Sequence, residues 1–203
     1  TGYVGPSNVH HAVREYIQAR VAAIHLEDQV APKRCGQMAG IRLMDAQENV
    51  RRLQCAVAAR GSDPMLVIGR TDALPAAGID EAVRRAHLYQ DAGIDLVFVD
   101  GIKKIAEVEA VAKRVQGPKV VSIVDGNETT ALTARDLQDM GFSVVFYAVT
   151  ALFTAVKAVS DALAELQRAG TPQGSAAGMV SYADFSTLVD LDFHKDLDDR
   201  YGS

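Results

Sequence analysis

Five short apolar runs constrain what this chain can fold into, because a helical stretch separates each run from the next. The runs are Ala22–Leu26, Leu66–Gly69, Leu96–Val99, Val120–Ile123 and Val144–Tyr147. Continuous apolar runs are typical of parallel strands that are buried on both faces of a sheet. In α/β folds of this kind, catalytic groups collect at the carboxyl ends of the strands. The pattern therefore predicts an α/β protein whose active site lies where the runs end.

Two architectures fit this alternation, a (β/α)₈ barrel and an open doubly wound sheet. The units recur at roughly 25 to 45 residues, as repeated βα units do. Five strands cannot close an eight-stranded barrel, so a barrel would need about three further βα units, or roughly 75 residues, before this sequence. No glycine-rich phosphate-binding pattern follows any run, which disfavours the doubly wound sheet. We therefore expect a partial barrel that lacks its N-terminal units.

The alternation of strands and helices predicts a partial barrel domain over residues 1–170. Residues 171–203 are predicted to form a separate C-terminal segment. Thr171–Gly178 is rich in glycine, alanine, serine and proline, and this composition predicts a linker. The segments Ser181–Val189 and Asp192–Tyr201 read as two short terminal helices, the second with an apolar stripe. We expect these helices to pack on their own subunit or on a neighbouring one.

Composition narrows the class of protein. The chain has 203 residues, of which 48% are hydrophobic, and a net charge of -5 with a pI near 5.5. An acidic chain with scattered basic residues is not expected to bind nucleic acid or a membrane surface, and no apolar run is long enough to span a bilayer. Two cysteines, Cys35 and Cys55, are too few for a disulfide framework, so we expect a soluble protein of the reducing cytoplasm.

Capping residues mark several of the helices that separate the strands. Asp45 is expected to cap an amphipathic helix that runs to Arg60, Asp80 the next helix, and Thr133 a short later one. Cys55 lies within the first of these helices, where a free cysteine is expected to pack in the core as a small hydrophobic group.

The first polar cluster, Glu27-Asp28-Gln29, directly follows the first apolar run. Carboxylates at a strand exit are suited to a divalent cation that prefers oxygen ligands, such as Mg²⁺, held partly through water. The alternative is a buried acid that is hydrogen-bonded to the next strand. The spacing of the residues does not decide between the two.

The second cluster is Pro32–Gln37, in the longest loop between a strand and a helix. Cys35 follows Lys33 and Arg34, and neighbouring positive charge favours the thiolate form. Such a cysteine can exchange a proton or act as a nucleophile. Gly36 allows the backbone to approach a substrate carboxylate closely. The alternative is a surface cysteine with no role.

The third cluster is Arg70 with Asp72, directly after the second run. An arginine at a strand exit could hold a substrate carboxylate with two parallel hydrogen bonds. The alternative is a structural ion pair with Asp72, Glu27 or Asp100, and both roles can coexist. Asp100 and Ser122 end the next two strands and are expected to line the same rim.

These strings resemble the isocitrate lyase/phosphoenolpyruvate mutase superfamily, and within it the branch of the methylisocitrate lyases, dimethylmalate lyases and petal death proteins. The resemblance rests on His25–Gln29, Pro32–Gly36 and Arg70–Ala73, together with Thr1–Tyr3 and Gly5-Pro6. It implies a (β/α)₈ barrel with Mg²⁺ or Mn²⁺ at its carboxyl end and a mobile loop over the site. It also implies a homotetramer, a dimer of dimers, with terminal helices exchanged between subunits.

The resemblance further implies reversible cleavage of a carbon–carbon bond in a 2-hydroxy di- or tricarboxylate. Cys35 would protonate the nascent carbanion, Glu27 would anchor metal-bound water, and Arg70 would bind a substrate carboxylate. Gly36-Gln37 would cradle a second carboxylate, and His25 would support the site from the strand end.

The sequence departs from the family pattern at several rim positions. Gln37 stands where the family has histidine, Asp100 where it has glutamate, and Ser122 where it has asparagine. The family's Asp-x-Asp metal pair would lie before Thr1. Three hypotheses follow: a Mg²⁺-dependent lyase, a decarboxylase or hydrolase of an oxaloacetate-like acid, and a catalytically weakened homologue that binds a ligand.

Overall fold

The computed structural model describes residues 5–202, and the string Thr1–Tyr3 lies outside the described residues. The chain divides into two compact units, one ending at Val149 and the other beginning at Thr150. The sequence instead predicted a boundary at residue 170, between the barrel domain and the C-terminal helices. That boundary stays a prediction.

The first unit alternates strands and helices. Its strands are β1 (Ala23–Glu27), β2 (Leu66–Thr71), β3 (Leu96–Val99), β4 (Lys119–Ile123) and β5 (Val144–Tyr147). Its α-helices are α1 (Pro6–Gln18), α2 (Ala46–Arg60), α3 (Ala73–Ala77), α4 (Ile79–Asp91), α5 (Ile105–Arg114) and α6 (Ala134–Asp139), with a 3₁₀ turn at Glu128–Ala131. All five predicted strands are confirmed, and their ends differ from the prediction by at most two residues.

The strands form one parallel sheet in the order β1-β2-β3-β4-β5. A doubly wound sheet reverses its strand order at a switch point, whereas a barrel adds each strand beside the last one. Among the described residues the order never reverses, so the doubly wound alternative is wrong. The architecture is an α/β half-barrel.

Successive residues of each strand face opposite sides of the sheet. On the outer side Val67, Val97 and Val121 pack into the main cores with the helices. On the inner side the buried side chains form a separate small cluster of Ile68, Leu96, Phe98 and Val120. Continuous apolar runs therefore arise because both faces of the strands are covered, as the sequence predicted.

The turn into α4 corrects one sequence prediction. Asp80 was expected to cap this helix, but the helix begins at Ile79 and its N-cap is Gly78. Gly78 has a φ of 87°, a conformation that favours glycine, and it joins α4 to the unpredicted short helix α3. Asp80 instead lies in the first turn, where its negative charge is favourable.

Of three other local predictions, two are confirmed and one is wrong. The side chain of Asp45 accepts a hydrogen bond from the Glu48 N–H, and Thr133 accepts one from the Asp136 N–H, so both caps are confirmed. Cys55 was expected in the core, but it is only partly buried, and its Sγ lies 3.2 Å from the Pro6 carbonyl oxygen. It occupies the edge of the α1–α2 contact.

The second unit is helical. It consists of α7 (Thr150–Ala169), a 3₁₀ helix at Pro172–Gly178, α8 (Tyr182–Leu188) and α9 (Leu191–Tyr201). The segment expected to be a linker thus forms a 3₁₀ helix, whose first turn is capped by the Thr171 side chain. No helix among residues 5–202 is long and apolar enough to cross a membrane.

Candidate active site

A cavity of about 750 Å³ opens on the inner face of the half-barrel, at the carboxyl ends of the strands. It brings together seven residues proposed from the sequence: His25, Cys35, Gly36, Gln37, Arg70, Asp100 and Ser122. Glu27 does not line the cavity. Its side chain is directed to the same side of the sheet as the cavity but is buried beside Arg70, with its Oε2 3.4 Å from the Arg70 Nε.

Arg70 is the electrostatic centre of the cavity wall. Its Nε and Nη2 donate to the two carboxylate oxygens of Asp72 at 3.1 and 2.8 Å. The same Nη2 lies 2.5 Å from Asp100 Oδ2. Three carboxylates, including that of Glu27, thus surround one guanidinium. The structural ion pairs that the sequence left open all exist, and they fix the guanidinium at the rim.

Burial and charge have opposing effects on these groups. Burial by itself lowers the pKa of Arg70, but the hydrogen bonds to Asp72 and the charge of Asp100 outweigh it, so the pKa is raised. Burial raises the pKa of Asp100 above its usual range, and the charge of Arg70 opposes this shift. The guanidinium therefore stays charged, and its charge favours the ionised form of Asp100.

An aromatic floor lies beneath the guanidinium. The Arg70 Cζ lies 5.3 Å from the Phe98 ring centroid, a distance at which a cation is attracted to the ring face. Phe146 packs edge-on against Phe98 at 5.6 Å, and the His25 ring lies 5.9 Å from Phe98. Partial burial, followed by the charge of Arg70, lowers the pKa of His25, so its imidazole is neutral at pH 7.

Glu27 and Asp28 are neighbours in sequence but have different environments. Glu27 faces the site, and its Oε2 lies 3.3 Å from Lys33 Nζ. Asp28 is fully buried and accepts hydrogen bonds from four donors: Thr71 Oγ1, the Asp72 N–H, Arg85 Nη1 and Tyr89 OH. Asp28 is thus the buried acid of the alternative interpretation, and it ties β1 to the exit of β2.

A metal ion is not accommodated by the described residues alone. Within residues 5–202 no three His, Cys, Asp or Glu side chains are grouped so that they could hold one. Glu27 offers a single carboxylate, and two cations, Lys33 and Arg70, approach it. Because these two cations already compensate the charge of the one carboxylate, this part of the chain does not complete a site for a divalent cation.

The loop after β1 brings the second cluster to the cavity. Cys35 is exposed, whereas Gly36 is buried against the β3 exit. A Cβ at Gly36 would lie 2.5 Å from Asp100 Oδ2 and 2.8 Å from Asp72 Oδ1, so only glycine allows this approach. The Gln37 Nε2 is buried and has no hydrogen-bond partner within the described part of the chain, which leaves a donor for a bound anion.

Two residues that sequence reasoning did not single out also shape the site. Phe98 lies under Arg70. Its place in the site could have been inferred from the strand register, because Phe98 is the partner of Arg70 in the pairing of β2 with β3. Gln29 was read only as part of the first cluster. It is buried and bonds to the backbone of Arg34, next to Cys35.

Comparison with known protein sequences identifies relatives of this chain. A family model described as phosphoenolpyruvate phosphomutase matches residues 1–167. The 2,3-dimethylmalate lyase of Eubacterium barkeri is 32% identical over 203 residues, which are all of this chain and 70% of that protein. The petal death protein of Dianthus caryophyllus is 30% identical over 99% of this chain and 63% of its own length. The chain thus spans about two thirds of the relatives it matches.

Comparison with solved structures identifies the same superfamily. A crystal structure of 2,3-dimethylmalate lyase, described as a PEP mutase/isocitrate lyase superfamily member, matches with a TM-score of 0.86 and 32% identity. That match covers all of this chain and 68% of the other. Oxaloacetate acetylhydrolase in complex with 3,3-difluorooxalacetate matches with a TM-score of 0.86, 29% identity and 69% of its chain. Phosphonopyruvate hydrolase in complex with oxalate and Mg²⁺ matches with a TM-score of 0.84, 29% identity and 71% of its chain.

Proposed function

Because this chain belongs to the PEP mutase/isocitrate lyase superfamily, we propose that it is a carbon–carbon bond lyase for small 2-hydroxy di- or tricarboxylates. The substrate class is that of methylisocitrate or dimethylmalate, and the products are an α-keto acid and a carboxylate. One observation carries the proposal: a thiol, Cys35, and an oriented guanidinium, Arg70, line the same cavity.

The proposal extends to the complete subunit. We propose that the half-barrel supplies five of the eight βα units of a (β/α)₈ barrel, and that the helices of the second unit are exchanged within a homotetramer. Apolar side chains of that unit, including Phe185, Leu188 and Phe193, are exposed in the isolated chain. Large apolar groups of this kind are typical of a subunit interface.

Substrate binding rests on complementary charge. Arg70 holds one carboxylate of the substrate through its Nη1 and its positive charge, because Asp72 and Asp100 already bind its Nε and Nη2. The Gly36 backbone and the Gln37 amide hold a second carboxylate. Ser122 adds a hydroxyl at the exit of β4, and Asp100 keeps the guanidinium in place.

The chemistry is a retro-aldol type cleavage. A base removes the proton of the substrate's 2-hydroxyl group, the oxygen forms the keto group, and the carbon–carbon bond breaks. The electron pair of that bond remains on the departing carboxylate fragment as a carbanion. Cys35 donates its thiol proton to this carbon and is itself left as a thiolate. His25, neutral at pH 7, supports the cavity wall without adding a charge.

A divalent cation, Mg²⁺ or Mn²⁺, belongs to the proposal as a group that Glu27 contacts through water. The described residues do not complete its coordination, so no step above depends on it. Support comes from a structural neighbour, phosphonopyruvate hydrolase, whose complex contains oxalate and Mg²⁺. Loss of activity in EDTA and recovery with Mg²⁺ would test this requirement.

A substrate panel tests the proposal. Full-length protein with Mg²⁺ is incubated with methylisocitrate, dimethylmalate and oxaloacetate, and release of keto acid or oxalate is followed. Keto acid released from either 2-hydroxy acid supports the lyase. Turnover of oxaloacetate alone supports the decarboxylase or hydrolase alternative, which the likeness to oxaloacetate acetylhydrolase favours. Saturable oxalate binding without turnover of any substrate supports a homologue that only binds a ligand.

A further inference from the structure

Gln29 makes two hydrogen bonds to the backbone of one residue in the loop that carries Cys35. Its Nε2 donates to the Arg34 carbonyl oxygen at 2.9 Å, and its Oε1 accepts from the Arg34 N–H at 2.9 Å. Gln29 is 1% exposed, whereas Arg34 is exposed, so the two bonds are partly buried. A primary amide is the neutral side-chain group that satisfies both partners at once.

These bonds fix the peptide unit to which Cys35 is attached. The Arg34 carbonyl belongs to the planar peptide bond that joins Arg34 to Cys35. Holding that carbonyl sets the plane of the peptide and therefore the positions of the Cys35 N and Cα atoms. Gln29 thus acts on the thiol through one rigid group.

The loop has further anchors on both sides of Cys35. At its base the Val30 N–H donates to the Arg42 carbonyl at 2.8 Å, which closes the loop on itself. Beyond Cys35, Lys103 Nζ donates to the Gln37 carbonyl at 3.2 Å. Of these contacts, those made by Gln29 are partly buried and involve the residue next to Cys35 in the chain, whereas the Lys103 contact is exposed.

We infer that Gln29 is a positioning residue that holds Cys35 at the reacting carbon. The inference rests on the proposed function for its catalytic consequence, while the restraint on the loop stands on geometry alone. A proton donor must lie within hydrogen-bond reach of the carbon it protonates. A small misplacement of the thiol therefore lowers the rate of the chemical step more than it lowers the affinity for substrate. Arg70, which binds the substrate, is held by Glu27, Asp72 and Asp100 and not by Gln29 within residues 5–202.

Two variants of Gln29 and one control separate positioning from general stability. Gln29→Ala removes both bonds. Gln29→Glu keeps an acceptor for the Arg34 N–H but loses the donor to the Arg34 carbonyl. Gln54→Ala is the control, because Gln54 is an exposed residue of α2.

Hydrogen exchange of the full-length protein gives a readout that does not need activity. We expect exchange at residues 33–36 to speed up about tenfold in Gln29→Ala and less in Gln29→Glu, with β2 unchanged. Gln54→Ala should match the wild type. Unchanged exchange at residues 33–36 in Gln29→Ala would overturn the inference, even for a protein that fails every lyase assay.

Lyase kinetics give the second readout. We expect kcat to fall about tenfold in Gln29→Ala while KM stays within about twofold, and Gln29→Glu to fall in between. Faster exchange with an unchanged kcat would mean that the restraint does not serve catalysis, which also overturns the inference. Absence of lyase activity in the wild type would instead contradict the proposed function, and the exchange result would still decide whether Gln29 restrains the loop.

Discussion

Asp100 holds the Arg70 guanidinium from the neighbouring strand, with Asp100 Oδ2 2.5 Å from Arg70 Nη2. Asp72 binds the same guanidinium through two hydrogen bonds, so the group is oriented before any substrate arrives. Preorganised charge of this kind contributes more to catalysis than a charge that must first be ordered.

Replacing Arg70 with lysine tests this orientation. A lysine keeps the positive charge but cannot form the two parallel bonds with Asp72, which leaves buried carboxylates poorly paired. We expect the free energy of unfolding to fall by about 3 kcal/mol and KM for a dicarboxylate substrate to rise about tenfold or more. Urea denaturation and steady-state kinetics measure the two effects.

The matched control is Arg84→Lys. Arg84 pairs with Glu81 at the surface, and its side chain is 53% exposed. An exposed pair of this kind contributes less than about 1 kcal/mol, so this variant should be close to the wild type. Equal effects of the two substitutions would show that the buried network does not orient the site.

Gly36→Ala tests the close approach of the loop to the strand ends. The new methyl group would lie 2.5 Å from Asp100 Oδ2, so the loop or the carboxylate must move. We expect keto-acid release to fall about a hundredfold, because misplacement by about 1 Å has that effect on a positioned donor. Gly178→Ala is the control, since a Cβ there meets nothing within 4 Å. Full activity of Gly36→Ala would contradict this view of the loop.

His25 predicts a pH dependence of stability. Burial and the charge of Arg70 lower its pKa in the folded protein below the ordinary value of 6.5. The unfolded chain therefore binds more protons than the folded chain as the pH falls below 6.5, and stability decreases in that direction. In His25→Gln we expect a smaller loss of stability between pH 7 and pH 5. Urea midpoints at the two pH values measure it, and an identical loss in both proteins would refute the prediction.

Strand positions and their exits were predictable because a sheet that is covered on both faces requires apolar runs, and the runs are visible. The rim residues followed from the same rule, since parallel strands present their carboxyl ends on one side. Arg70, Asp100 and Ser122 were placed in this way, and all three line the cavity, whereas the role of His25 followed from the family resemblance.

The sequence alone did not show which side of the sheet each residue of the first polar cluster faces. Two-sided burial hides the alternation of side chains, so Glu27 and Asp28 looked equivalent. In the structure Asp28 faces helix α4, where Arg85 and Tyr89 bind it, and Glu27 faces the site. The bonds of Gln29 were hidden for another reason: they depend on the path of an irregular loop, which no periodic pattern encodes.

Keto-acid release by Cys35→Ser tests the central claim most directly. Cys35 is exposed, so its replacement should leave the fold and the unfolding midpoint unchanged. We expect release from dimethylmalate or methylisocitrate to fall about a thousandfold, because a serine hydroxyl is a far weaker acid than a thiol, whereas Cys55→Ser should retain activity. Release by Cys35→Ser at the wild-type rate would contradict the assignment of Cys35 as the proton donor.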